Sequence, residues 1–448
     1  MLFRQVHFFK QLTFIKSIQK QGFGSSSFVV KLLCISIIIF SIGTFIYKGL
    51  LPSLREIPTS DFYMFYAAGQ LWNNGSNVYD YQLYRSQVYL IGKEVALQTD
   101  AGYYYPPHAS VIFAMLSTLP LEQAHLLLVS LNVFLLISSL SLFGLILSWY
   151  RPIGIIELTF IISLINTGLG RANMRWNQLG IFICFLLLML FVLAVRRKQI
   201  LAGCFLSLLI IKPTFVPLYF GYYFIRRFYG LVAVFIVMTS LLILLPLVLT
   251  DRPVVETLAN WSEMRQIQGN PNSIDSPSPQ ALHSEKLLYL APLIYRILTT
   301  QSELTTVIAW LIILVLNSYA FYLIIHSTPS SVVDLLDFGL VSVLSLLSIY
   351  HRHYDVFLLF PGLLYIYLHI FKVKHSREQR YWIAFLVIIL LLITLPIDMP
   401  EQLARVYPAL RSNYLWNIVA PIETWVSVAV LAALFWLKTC QVGRNVNH

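Results

Sequence analysis

Long apolar runs alternate with short polar connections along the whole chain. After a first run at Lys31–Leu50 come Ala124–Trp149, Ile153–Gly170, Leu179–Val195, Phe228–Leu249, Leu304–Ile325, Val332–Tyr350, Val356–Phe371, Tyr381–Pro396 and Val419–Leu437. A helix needs about 20 apolar residues to cross roughly 30 Å of hydrocarbon, and most of these runs approach or exceed that length. Between Leu179–Val195 and Phe228–Leu249 the pattern predicts a divided segment, Gln199–Ile211 and Thr214–Ile225. It breaks at Lys212-Pro213, because proline removes a backbone donor and disfavours helix at the residue before it. Each half is about 18 Å long at 1.5 Å per residue, which suits a short there-and-back pair. The chain therefore reads as an all-α, polytopic membrane protein of about twelve membrane segments.

With that turn-back, Arg196-Arg197-Lys198, Arg226-Arg227 and the Lys372 to Arg380 stretch fall on the same side as the N-terminal tail. The positive-inside rule makes this side cytoplasmic. The expected organisation is a cytoplasmic tail at 1–30, a single transmembrane domain at 31–438 and a cytoplasmic tail at 439–448. Two outer loops, 52–123 and 250–303, share the other side with Arg171–Gln178, His351–Asp355 and Ile397–Asn417. In the first loop Asp61, Phe65, Ala68 and Trp72 fall on one helical face, and Asn73-Asn74-Gly75 stops that helix. Tyr103-Tyr104-Tyr105-Pro106-Pro107 leads into His108–Leu119, which is apolar but too short to span. Both segments are expected as interfacial or re-entrant helices. Pro, Ser and Asn around Asn270–Pro279 predict a mobile cover for the Asp251–Ser302 loop.

Composition agrees with the pattern: 58% of residues are hydrophobic and 11% charged, outside the soluble range. The formal charge of +11 lies mostly in the short clusters between apolar runs, so membrane orientation accounts for it without nucleic acid. Cys34, Cys184, Cys204 and Cys440 lie in or beside apolar runs with no CxxC pair, which indicates neither a disulfide framework nor a zinc site. His351 and His353 are two apart and point to different helical faces, so they do not suggest a metal site either. No cofactor is expected.

Few residues remain for chemistry. Asp61 opens a helix, where an aspartate often serves only as a cap. On the predicted outer face it is joined by His353, and a carboxylate beside an imidazole suits proton removal from a hydroxyl. Lys212 is flanked by apolar residues, where a charge is costly unless it faces a cavity or an anion; snorkelling is the plainer alternative. With Arg171, Arg175 and Arg352 it makes a set of cations able to hold a lipid-linked phosphate. No Gly-rich phosphate loop and no Gly-x-Ser-x-Gly occurs.

An ordered set of landmarks runs through the chain. It begins with Asp61-Phe62-x-x-Phe65-Tyr66-Ala67-Ala68-x-x-Leu71-Trp72-x-x-Gly75-x-x-Val78-Tyr79-Asp80 and Tyr105-Pro106-Pro107. Asn177-Gln178, Ala202-Gly203, Lys212-Pro213 and Ser348-x-x-x-x-His353-Tyr354 follow. In these the chain resembles the GT-C superfamily of membrane glycosyltransferases, and within it the family 87 group of polyprenyl-phosphate-mannose-dependent mannosyltransferases. The resemblance implies a GT-C-like bundle that transfers a sugar, mannose in that group, from a polyprenyl-phosphate donor to a lipid or glycan acceptor. It places the active site on the outer face of a bacterial inner membrane. Asp61 matches the expected base, with His353 beside it, and Lys212 matches the Lys-Pro lysine. Tyr66, Tyr105, Asn177 and Gln178, which also lie in the landmarks, become candidate substrate contacts. The competing class is a transporter or flippase, which also uses many helices, a broken one and intramembrane charge.

Overall fold

The computed structural model describes residues 28–57, 61–92, 102–268, 276–278, 287–327, 333–373, 377–394, 403, 406–407 and 414–446. Among them the chain is helical throughout, and the only extended pairing is an isolated bridge between Leu287 and Arg352. The first apolar run forms α1 (Phe28–Arg55). Its Phe28, Leu33, Ile39 and Phe40 side chains are exposed, as a lipid-facing helix requires.

Three short helices fill the first polar loop: α2 (Asp61–Asn73), α3 (Tyr81–Ile91) and α4 (Pro107–Leu116). Asp80 caps α3, its side chain accepting from Leu83 N at 2.9 Å, and Pro107 starts α4 where its missing N–H costs nothing. Rather than resting one face on a surface, α2 is buried on several sides, through Phe62, Phe65, Tyr66, Leu71 and Trp72. It crosses α4 so closely that a Cβ on Gly69 would lie 2.1 Å from the Phe113 carbonyl oxygen. Gly69→Val is therefore expected to force the two helices apart, at about 1–3 kcal/mol. A melting temperature equal to that of the wild type would contradict this.

The bundle continues with α5 (Leu121–Ser148), then α6 (Ile155–Asn166) and α7 (Gly168–Trp176), which are bent by 46° at Thr167. After α8 (Gly180–Val195), α9 (Gln199–Ile211) and α10 (Val216–Ile225) form the divided segment, and α11 (Tyr229–Leu249) follows. The long loop at 250–303 contributes α12 (Val254–Gln268) and the buried α13 (Leu290–Ile297). Both described ends of this loop are thus helical, with Trp261 Nε1 donating to the Tyr104 carbonyl at 3.0 Å. Of the Asn270–Pro279 stretch, all but residues 276–278 lies outside the described residues. The last part comprises α14 (Glu303–Ser327), α15 (Leu335–Ser348), α16 (His353–Ile370), α17 (Arg377–Thr394), α18 (Tyr414–Val419) and α19 (Ile422–Val446). The final helix runs past residue 438, and the tail predicted at 1–30 lies almost wholly outside the described residues.

Each predicted apolar run is largely helical where it is described, yet length and composition alone do not reach the count of about twelve membrane segments. Among the described residues six helices are long and apolar enough to cross a membrane, or up to seven if the bent pair α6 and α7 is one span. The difference lies partly in short helices such as α15, whose 14 residues reach only about 21 Å. Every residue of α15 is buried inside the protein, so neighbouring helices rather than lipid set its length.

Basic residues that the charge pattern assigned to one side gather at one end of the bundle. Arg226, at the end of α10, pairs with Asp337 of α15, and Asp337 also takes Lys438 of α19. Arg151 sits over the Phe371 ring at 3.6 Å and pairs with Glu157 at 2.8 Å, and Arg197 lies over Phe228 at 5.3 Å. Three rungs then lock α10 antiparallel to α15. Arg226 meets Asp337 at one end, Tyr219 donates to Ser342 Oγ at 2.8 Å midway, and Lys212 meets Asp355 just beyond the far end. This register carries the break at Lys212 to the turn that precedes α16.

Candidate active site

At the Lys212 end the helix break has a specific use. Lys212 lies between two short 3-10 turns, out of helical conformation at φ −128° and ψ 87°, with Pro213 starting the second turn. Its ammonium donates to both oxygens of Asp355, at 2.8 and 2.7 Å. Asp355 is fully buried, and its Oδ2 also accepts from the backbone N of Arg352 at 3.2 Å and from His351 Nδ1 at 3.1 Å. The His351 ring is held edge-on by Phe215 at 4.6 Å. Burial lowers the affinity of His351 for a second proton, while Asp355 opposes that shift. The Lys212 ammonium also lies 4.7 Å from the centre of the Tyr354 ring and 5.2 Å from that of Phe215.

Tyr354, beside Lys212, also lies within electrostatic range of Asp61. The half-buried Asp61 carboxylate acts electrostatically on Tyr354 and on Tyr84 of α3. Burial pushes the Tyr84 hydroxyl well above the ordinary phenol range, and the nearby Asp61 charge adds to this. His353 is buried and packs edge-on against Tyr354 at 5.2 Å. Its carbonyl lies where a Cβ on Gly168 would come within 2.4 Å, so the first residue of α7 must be small for the turn to seat. Asn173 fixes the same turn by donating to the Tyr354 carbonyl at 2.8 Å.

Of the other sequence-predicted residues, Arg352 stays on the site's own turn beside Tyr354, while most of the rest are engaged elsewhere. Arg171 donates to the Thr394 carbonyl at 2.8 Å, Arg175 is exposed over Trp176 at 5.1 Å, and Arg352 Nε donates to the Tyr350 hydroxyl at 2.7 Å. Tyr66 turns its hydroxyl to the Leu119 carbonyl at 2.8 Å. Asn177, in a left-handed conformation, accepts from Asn132 at 2.7 Å and meets His125 Nδ1 at 3.2 Å, while His125 Nε2 reaches the Ser53 carbonyl at 2.7 Å. Both ends of its amide are therefore engaged, and Gln178 is buried beside it. Tyr105 belongs to an aromatic wall, with its ring 5.2 Å from Phe65 and 5.8 Å from Tyr103.

Asp355 is the residue that reading the sequence missed. The signal was available, since a lysine inside an apolar segment needs a carboxylate, and Asp355 lies in the predicted outer turn with His353. Among the described residues no group of three or more His, Cys, Asp or Glu side chains is placed to hold a metal ion.

His108 follows the Tyr105-Pro106-Pro107 landmark, and both of its ring nitrogens are buried without a hydrogen-bond partner among the described residues. Burial pushes its pKa down to about 4, whereas an unfolded histidine titrates near 6.5. The neutral ring therefore favours the folded state fully above pH ~6.5. That contribution is lost as pH falls from ~6.5 towards ~4, by up to about 3 kcal/mol. His108→Phe is expected to reduce the drop in melting temperature between pH ~7.5 and ~5, and an unaltered drop would contradict this.

Neither a curated protein nor a solved structure matches the chain. The family model for glycosyltransferase family 87 matches residues 103–349, more than half of the sequence, and takes in Tyr103 and Tyr105 of the aromatic wall, the Asn177-Gln178 turn and the break at Lys212. With its membrane-length helices, the chain is a membrane glycosyltransferase that belongs to family 87.

Proposed function

We propose that the protein transfers mannose from a polyprenyl-phosphate donor to a hydroxyl of a lipid or glycan acceptor, with inversion at the anomeric carbon. The observation that carries this reading is Tyr354, whose neighbourhood holds both the Asp61 charge and the Lys212 ammonium. In the reaction the acceptor oxygen attacks the anomeric carbon while Asp61 takes its proton. The bond from that carbon to the phosphate oxygen breaks, and the phosphate leaves with the electron pair. Asp61 then returns the proton to solvent.

Of the two carboxylates, Asp61 is the better base. Asp355 already accepts from Lys212, His351 and the Arg352 backbone, which leaves little room for an acceptor hydroxyl. An ammonium has three N–H groups, and Lys212 directs two at Asp355, so a third remains for a phosphate oxygen. Arg352, on the same turn, supplies a second cation. Tyr105 and its aromatic neighbours offer flat apolar faces to the sugar or the prenyl chain.

The basic end of the bundle is cytoplasmic in this reading, so the Lys212 end faces the other side of a bacterial inner membrane. Charged side chains of the core form paired groups at the two ends, Arg226 with Asp337 and Lys438, and Lys212 with Asp355. That arrangement favours a fixed site over alternating access. The test is to supply membranes with labelled polyprenyl-phosphate-mannose or labelled GDP-mannose, with endogenous synthesis of the lipid donor blocked. Label should pass to acceptor from the lipid donor alone and with inverted configuration. Retained configuration, or use of the nucleotide sugar alone, would overturn the proposal.

A further inference from the structure

We infer that Asp355 is a positioning residue that tempers the charge of Lys212, an inference that rests on the transfer reading above. A buried carboxylate with four donor contacts is more than a counter-ion for one lysine. His351 and the Arg352 backbone hold it in place independently of Lys212, so the ammonium is drawn to a fixed point beside Tyr354. This geometry decides how strongly Lys212 attracts phosphate at different stages.

A sugar phosphodiester donor carries one negative charge, and the departing prenyl phosphate monoester gains a second as the bond breaks. A bare ammonium would bind the donor and the product tightly and hold both. Only interactions that strengthen between ground state and transition state accelerate the reaction. With Asp355 in place the Lys212 charge is largely cancelled towards the singly charged donor. The remaining N–H still gives a directional hydrogen bond that shortens and strengthens as charge develops on the leaving oxygen. The same cancellation favours release of the product.

Asp355→Asn keeps the shape and removes the counter-charge. In purified protein assayed with polyprenyl-phosphate-mannose, the variant is expected to show a lower donor KM, a lower kcat and inhibition by added polyprenyl phosphate that is about tenfold tighter. A fall in kcat with donor KM and product inhibition unchanged would mean that Asp355 only supports the fold, and would overturn the inference. A second comparison keeps the counter-charge in place. Asp355→Glu is expected to hold donor KM and inhibition by polyprenyl phosphate close to the wild-type values. A shift as large as that of Asp355→Asn would show that the counter-charge is not what sets phosphate affinity and would also overturn the inference. If wild-type protein transfers no mannose and is not inhibited by polyprenyl phosphate, the transfer reading itself fails, and this inference with it.

Discussion

Asp61→Asn is expected to lower the rate of sugar transfer by about 10²–10⁴-fold while leaving the protein folded. The size follows from what a positioned general base contributes, and asparagine retains the shape of the side chain without its ability to accept a proton. Folding should survive because Asp61 is half-buried at the first position of α2. The helix is held instead by its crossing with α4 and by Arg252, whose guanidinium donates to the Trp72 carbonyl at 3.0 Å and to the Ser76 carbonyl at 2.8 Å. Transfer rate measured beside the melting temperature checks this. Lost activity with lost folding would point to a capping aspartate, and full activity would remove Asp61 from the mechanism.

Lys212→Met should be the most destabilising of the substitutions considered, at about 3–5 kcal/mol. The fully buried Asp355 would keep its negative charge with only His351 and a backbone N–H to compensate it. The loss arises from the stranded partner, so Lys212→Met combined with Asp355→Asn should recover much of the stability, since a buried pair is often nearly neutral when removed as a unit. Melting curves of the two variants in the same detergent decide the matter. Equal destabilisation would mean that the ion pair contributes on its own account. A stable single variant would mean that Asp355 is not buried in the folded protein.

Much of the helical order was legible because apolar runs of membrane length leave little choice of element, and Lys212-Pro213 announces its own break. The register of α10 on α15 was less legible. It depends on Arg226, Tyr219 and Lys212 finding Asp337, Ser342 and Asp355, partners more than a hundred residues away that no local pattern connects. The number of crossings is hard to read for a related reason, since hydropathy does not distinguish a helix sheathed by lipid from one sheathed by protein, as α15 is. At the site, Asp61 and His353 were visible as polar residues between apolar runs. Asn177 and Tyr66 looked available as substrate contacts, and only the fold reveals that Asn132, His125 and the Leu119 carbonyl engage them.

The most direct test of the central claim, that Asp61 and the Lys212–Asp355 pair serve one reaction, is a cryo-EM structure of Asp61→Asn with polyprenyl-phosphate-mannose bound. The account predicts the donor phosphate on Lys212 beside Tyr354, with the anomeric carbon turned towards residue 61. A phosphate seated at the Arg226 end, or a sugar remote from residue 61, would contradict it.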